Sequence, residues 1–396
     1  MTKRALSGLR IIDLSQGIAG SYCTKLLSGF GADVIKVERP GTGDRMRALG
    51  PFCRNEEGLE TSIPFLWFNT GKKSVTLNFE TEKGVELLKR LSEVADVIVE
   101  DVSPGITSSR GLNYEVLRKT HPGLIMTSIS PFGLTGPYSN YNAEEIELNA
   151  LSGGMYMTGD PQKAPLAAGP ALYQYTAGQH AYIATLMALF QRGSRGEGQQ
   201  VDVSTQESGL EHIEITLSYQ LQQKKNGKRG GHLFVPWGTY ECRDGYATVI
   251  SMPYRHWHRS ADLFEDPRLF GKKYAGLRDR MALREEYEEI LKPCVKARGK
   301  RELFHEGQAR NLAFGYVAGI DEVLGSPQHR ERGFFEEVDH PVAGKHQYCG
   351  APFKMSETPW QTASAPLLGE HNADVYGGVL GCSPEEMQQL ADGGVI

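Results

Sequence analysis

The chain lacks several features that would have named a chemistry at once. Its six cysteines, Cys23, Cys53, Cys242, Cys294, Cys349 and Cys382, include no CxxC pair. That spacing suggests neither a zinc ribbon nor a disulfide framework, so reduced, buried thiols and no metal site are expected. No run approaches the roughly 18 apolar residues of a spanning helix, so no membrane segment is expected. The start, Met1-Thr-Lys-Arg4, lacks the apolar run of a signal peptide, and a cytoplasmic protein is expected. Positive charge is not in excess: 43 Lys and Arg stand against 48 Asp and Glu, a net −5. Nothing at whole-chain level favours a polyanion, so nucleic acid is a poor guess for a partner, and any basic patch must be local. No P-loop and no HExxH occur. The turn Gly17-Ile-Ala-Gly20 stops short of a full GxGxxG, and no internal repeat is visible.

What is present is strand-helix alternation through the first 210 residues. Leu9-Arg-Ile-Ile-Asp-Leu14 and Ala32-Asp-Val-Ile-Lys-Val37 read as short apolar strands, with helical spacing over Ser21–Ser28 between them. Val85, Leu88 and Leu91 place an amphipathic helix over Glu82–Glu93. Strands follow at Val97–Val99 and Leu124–Met126. A long apolar helix over Ala177–Phe190 and a strand over Gln200–Val203 complete the series. This order predicts an α/β fold with a parallel sheet covered by helices on both faces. Lys224–Gly231 is basic and Gly-rich and reads as a linker or flexible loop. Short β-like pieces and charged helices such as Arg284–Lys292 then predict a smaller α+β domain. The expected organisation is 1–205 large domain, 206–230 linker, 231–325 small domain, 326–349 linker, and 350–396 returning to the large domain.

Several segments, in order along nearly the whole chain, are similar to one family. They are Ser7–Leu14, Gly31–Asp44, Asn69–Ser74, Ala95–Glu100, Ser103–Gly105 and Phe132–Tyr138, then Gly196–Ser204, Asp339–Pro341 and Leu368–His371. On these the chain resembles the class III CoA-transferases, a group that includes formyl-CoA, carnitine and benzylsuccinate CoA-transferases. The resemblance implies a Rossmann-like large domain built from both chain ends, a smaller α+β domain, and two chains interlocked as a dimer. It also implies no permanently bound cofactor, with coenzyme A or acyl-CoA as substrate.

For CoA the resemblance implies a set of contacts. Arg39 matches an arginine set against the adenosine-phosphate end. Ile18 and Ala19 match positions whose backbone meets the ligand, Leu77 matches an adenine-side contact, and Lys72 adds a cation. Asp101 falls where the family usually has asparagine. Three positions depart from the pattern: Glu80 replaces a lysine, Ser109 replaces an arginine beside Arg110, and Gln16 replaces a histidine. Read from spacing alone, Arg39, Lys72 and Lys73 are solvated surface charge.

The family nucleophile is an aspartate that attacks the thioester, forms a mixed anhydride, and then carries CoA as an enzyme thioester. In Ala168-Gly-Pro-Ala-Leu-Tyr-Gln-Tyr-Thr-Ala-Gly178 its place is taken by Gln174. An amide is neutral and a very poor nucleophile, although it still donates and accepts hydrogen bonds. The related racemases pair their aspartate with an upstream histidine. Glu144 stands in that region, so proton exchange is not expected. Glu144 and Glu145 are alternative carboxylates, or an acidic pair compensating a helix dipole. His180 reads as a structural helix histidine. Trp237, Tyr240, Tyr254 and Trp257 read as core, with an aromatic acyl pocket as the other possibility.

Two functions are therefore expected. In the first, the chain is a non-catalytic subunit completed by a paralogue that carries aspartate; such pairs include those activating aryl-substituted succinates. In the second, it is a self-sufficient homodimeric transferase using another residue.

Overall fold

A computed structural model describes residues 4–101, 104–225, 227, 229, 234–251 and 254–396; side chains 104–106 and 254 are outside the description. Ser103, part of Lys224–Gly231 and the Tyr254 side chain therefore lie outside it. The chain divides into two compact units, Met1–Arg229 with Gly333–Ile396, and Gly230–Arg332.

The larger unit opens with β1 (Arg10–Asp13), α1 (Ile18–Gly29), β2 (Asp33–Glu38), α2 (Ile63–Phe68), β3 (Lys73–Thr76) and α3 (Glu82–Glu93). Next come β4 (Val97–Glu100), α4 (Pro104–Ser109), α5 (Tyr114–Leu117), β5 (Ile125–Ser130), α6 (Glu145–Leu151) and α7 (Gly154–Met157). Then follow α8 (Leu172–Arg195), β6 (Gln200–Ser204), α9 (Thr205–Leu210) and α10 (Glu214–Gln223). The six strands form one parallel sheet in the order β3-β2-β1-β4-β5-β6.

Alternate residues of each strand bury on opposite faces. Ile12, Ile35, Ile98 and Met126 pack with Leu87, Leu88 and Leu91 of α3, with Tyr114 and Leu117 of α5, and with Val375 and Tyr376. Ile11, Val34, Val97 and Ile125 pack on the other face with Cys23 and Leu27 of α1 and Ala177, Ala181 and Ala188 of α8. Burial on both faces explains why these strands read as unbroken apolar runs. The order reverses at β1, whose neighbours are β2 and β4. In such sheets that reversal opens a crevice at the carboxyl ends of the strands.

The smaller unit carries β7 (Trp237–Cys242), β8 (Gly245–Ile250), α11 (Tyr254–Phe264), α12 (Leu277–Ala282), α13 (Arg284–Lys296), α14 (Lys300–Ala309) and β9 (Gly315–Tyr316). Two further helices, α15 (Ile320–Leu324) and α16 (Pro327–Glu331), end it. Its strands form an antiparallel sheet. Tyr240, Trp257, Tyr274, Tyr287 and Phe314 fill its core. Trp237 is partly exposed and stacks on Phe234. The chain then returns through the hairpin β10 (Phe335–His340) and β11 (Gly344–Cys349) and the closing helix α17 (Pro384–Asp392).

The two stretches expected as linkers carry regular structure. Most of α9 and all of α10 fall in 206–230, and α16 and the β10–β11 hairpin fall in 326–349. The α10 pattern was obscured because none of its residues is buried, and the hairpin alternates exposed polar residues with few apolar ones. Among the described residues no helix is long and apolar enough to cross a membrane.

Candidate functional site

The crevice at the switch point is built first by the turn from β1 into α1. The Asp101 carboxylate, just past the end of β4, accepts the Gln16 and Gly17 backbone N–H groups at 2.6 and 2.9 Å. The close approach requires glycine: a Cβ at Gly17 would lie 2.8 Å from Asp101 Oδ2, and one at Gly20 would lie 2.4 Å from Ser15 Cβ. Burial pushes the Asp101 carboxyl up from its ordinary range, opposed by these N–H groups and by Lys36. Arg45 closes the same corner, its Nε donating to the Gln16 carbonyl at 2.5 Å and its backbone N–H to Gln16 Oε1 at 3.3 Å.

Beneath this turn lies a buried charge network. Asp13 Oδ2 accepts from Lys72 Nζ at 2.9 Å and from Thr24 Oγ1 at 2.8 Å. Lys36 Nζ meets Asp44 at 2.6 Å and donates to the Ser15 carbonyl at 2.8 Å. The side chains of Asp13, Lys36, Lys72 and Asp44 are inaccessible to solvent. Burial opposes the charge on Asp13, but Lys36 and Lys72 hold its carboxyl far below the ordinary range. Burial opposes the charge on Lys36 as well, yet Asp13, Asp44 and Glu38 raise its pKa. Lys72 ends lowered to about 8, by burial first and partly offset by Asp13.

Helix α8 supplies the second side. Its N-cap, Ala171, adopts the left-handed conformation (φ 59°) and offers no side-chain cap. Instead the Glu145 carboxylate reaches from α6 to accept the Tyr173 and Gln174 backbone N–H groups at 2.9 and 3.2 Å. Gln174 lines a cavity of about 620 Å³ together with Gly17, Ala19, Arg45, Asp101, Ser130 and the 139–144 loop. Glu144 and Glu147 also face it.

The residues expected to meet CoA separate into groups. Ala19, Asp101 and Gln174 share the cavity. Ile18 opens α1 and packs, partly buried, against the apolar cluster that contains Met46, Phe65 and Leu66. Arg39 is more than half exposed and forms a 2.6 Å ion pair with Glu80. Arg110 is half-buried just after α4. Lys72 differs from expectation: its ammonium is saturated by Asp13, the Ser21 carbonyl and Asn69 and is not presented to a ligand. Leu77 differs too, being 1% exposed in the core against Val75 and Leu87. His180 has an acidic neighbour, Glu211, at 3.2 Å, and His212 meets Thr176 Oγ1 at 3.1 Å. Among the described residues no group of three or more metal-binding side chains occurs.

The sequence did not point to Arg45, Ser130, Glu147 or the capping role of Glu145. Only the position of Asp101, one residue beyond a strand at the switch point, was a signal available in advance.

Gln174 thus faces a cavity at the point where the strand order reverses. The chain is 30% identical over 383 residues, covering 93% of each, to the succinyl-CoA:(R)-benzylsuccinate CoA-transferase subunit BbsE of Thauera aromatica. It is 32% identical over 403 residues, 99% of this chain and 90% of the other, to human succinyl-CoA:glutarate CoA-transferase. A CAIB/BAIF family protein from Brucella suis superimposes with a TM-score of 0.84 at 28% identity, over 95% of this chain and 99% of that one. The model of CoA-transferase family III matches residues 6–372, and the chain belongs to that family.

Proposed function

We propose that this chain is the non-catalytic subunit of a hetero-oligomeric class III CoA-transferase. The assembly moves CoA between a thioester such as succinyl-CoA and a carboxylic acid, an aryl-substituted succinate being one fit. The observation that carries this reading is that Gln174, a neutral amide which the resemblance sets at the family's nucleophile position, lines the cavity. It cannot form an anhydride. The relative from Thauera aromatica is itself called a subunit, which supports a paired assembly. Ile183, Met187 and Phe190 give α8 an outward apolar stripe, 52, 67 and 87% exposed, which suits burial by an interlocked partner. Ile18, Ala19, Arg39, Asp101 and Arg110 remain the proposed CoA contacts, with Lys72 and Leu77 supporting them from beneath.

A second reading is favoured by one observation. Glu144 faces the same cavity as Gln174, so a self-sufficient homodimer could use it as nucleophile. Co-expression with an aspartate-bearing family member separates the two. The first reading expects a stable mixed complex with transfer activity that is absent from this chain alone. It expects Gln174→Ala to leave most of that activity and loss of the partner's aspartate to abolish it. Hydroxylamine trapping after acyl-CoA addition should label nothing on this chain; a labelled Glu144 peptide would replace the first reading with the second.

A further inference from the structure

Asp339-His340-Pro341 is one of the segments in which the chain resembles its family, and the proposed function gives it no part. His340 ends β10, pairs with Gly344 across the hairpin, and is 1% exposed. Its Nδ1 accepts two backbone N–H groups of the β10–β11 turn, from Val342 at 3.2 Å and from Ala343 at 3.0 Å. A backbone N–H can only donate, so Nδ1 carries no proton. The ring is neutral, with its proton on Nε2. Nε2 itself finds no hydrogen-bond partner among the described residues. An imidazolium in this place would aim an Nδ1–H at two other donors.

The turn covers part of the apolar core. Ala343 is 2% exposed and packs in the cluster of Met46, Cys53, Phe65 and Leu66. Arg54 donates to the Val342 and Ala343 carbonyls, both at 3.2 Å, and holds the turn from outside. The carboxylates near the ring are already engaged: Glu60 by Arg47 and the Leu368 N–H, Glu370 by the Leu367 N–H. On the hairpin itself Glu337, Asp339, Lys345 and His346 are exposed. Burial holds the His340 pKa below its ordinary value; Arg47 and His346 act the same way, and Glu60 and Glu370 oppose them.

We infer that His340 is an acid-released latch: its neutral ring holds the β10–β11 turn closed, and protonation opens that turn and uncovers the cluster beneath it. Closed, the ring stays neutral; open, it titrates as an ordinary histidine at about pH 6.5. The latch is therefore fully engaged above that value and is released as pH falls below it. This goes beyond the proposed function and holds whether or not the chain is a silent subunit.

Hydrogen–deuterium exchange on the full chain tests it at about pH 8 and about pH 5, with labelling times scaled to the intrinsic exchange rate. Opening read at the Val342 and Ala343 amides is expected to rise at least about tenfold at the lower pH, which lies about 1.5 units below the pKa of an open histidine. The Ile11 and Ile12 amides of β1 should keep their protection. His340→Asn keeps an acceptor in the place of Nδ1 without a titrating ring, because an asparagine Oδ1 accepts from the backbone N–H two residues on. Its turn should respond to acid hardly at all. Nitrogen NMR of the histidine-labelled parent gives a reading that does not depend on the variant's folding: at the higher pH the His340 ring should show a protonated Nε2 and a bare Nδ1. Four results would each overturn the inference: turn amides in the parent equally protected at both pH values, the same acid response in His340→Asn, a proton on Nδ1 at the higher pH, or an equal acid response at Ile11 and Ile12.

Discussion

Several helix beginnings in the larger unit cap themselves. Thr81 accepts from the Gly84 N–H, Ser204 from Glu207, Asn113 from Val116 and Ser383 from Glu386. At the starts of α1 and α8 neither Gly17 nor Ala171 offers a side-chain cap, and carboxylates from other elements take over. Asp101 holds the turn entering α1, and Glu145 holds the first turn of α8. A local cap forms with its own helix and leaves the surroundings free. A remote cap ties two elements together, so each cavity wall depends on an element distant in sequence. The cavity is thereby fixed by charge, whereas the remainder of the sheet is held by apolar packing.

That contrast is tested most severely at Lys36. Replacement by methionine keeps the volume and leaves Asp13 and Asp44 buried, with Asp44 losing its 2.6 Å partner. Removing one member of a buried ion pair costs about 3–5 kcal/mol. Lys36→Met is expected to lower stability by that amount in urea unfolding. A loss under about 1 kcal/mol would show that the crevice is not held by this network.

The next effect is a pH dependence at Glu100, beside Asp101. Its Oε1 accepts from Ser128 at 2.9 Å. Burial raises its pKa from 4.5 to about 7, only partly opposed by hydrogen bonds from Ser128 and Thr107. The folded state therefore keeps a proton that the unfolded chain has lost between those values. The group's contribution is fully present below about pH 4.5 and is lost as pH rises through 7. Glu100→Gln is expected to gain up to about 2–3 kcal/mol at pH 8 relative to the parent and little at pH 4. Parallel stability curves for the two proteins between pH 4 and 8 would contradict it.

The same contrast explains what could be read in advance. The α3 boundaries, Glu82–Glu93, were legible to the residue because Thr81 and the apolar spacing both act within the segment. Five of the six sheet strands were legible within a few residues as apolar runs; β3 was not, because Lys73-Ser-Val-Thr76 carries one apolar residue. Helix α8 was read from Ala177 but begins at Leu172, because its cap, Glu145, is 27 residues upstream and no local capping residue marks the start. Gln174, Asp101 and Ala19 were named from sequence and meet at one cavity. Lys72 and Leu77 were named and turned inward. Nothing in Asn69-Thr-Gly-Lys-Lys-Ser74 distinguishes the lysine that satisfies Asp13 from its exposed neighbour Lys73, which pairs with Asp33 at the surface.

The smallest expected effect compares the two caps directly. Thr81→Ala removes a neutral local cap on α3 and should cost about 1 kcal/mol. Glu145→Ala removes a charge-assisted cap with two acceptor contacts on half-buried N–H groups, which should cost about 2 kcal/mol. The two costs should also differ in kind. The loss at Thr81 should leave amide hydrogen exchange altered only in the first turn of α3. The loss at Glu145 should increase exchange at both ends of the link, in α6 and at Tyr173 and Gln174. If exchange in α6 stays at the parent rate while Tyr173 and Gln174 speed up, the remote cap acts as a local one, and the cavity walls are not coupled through it.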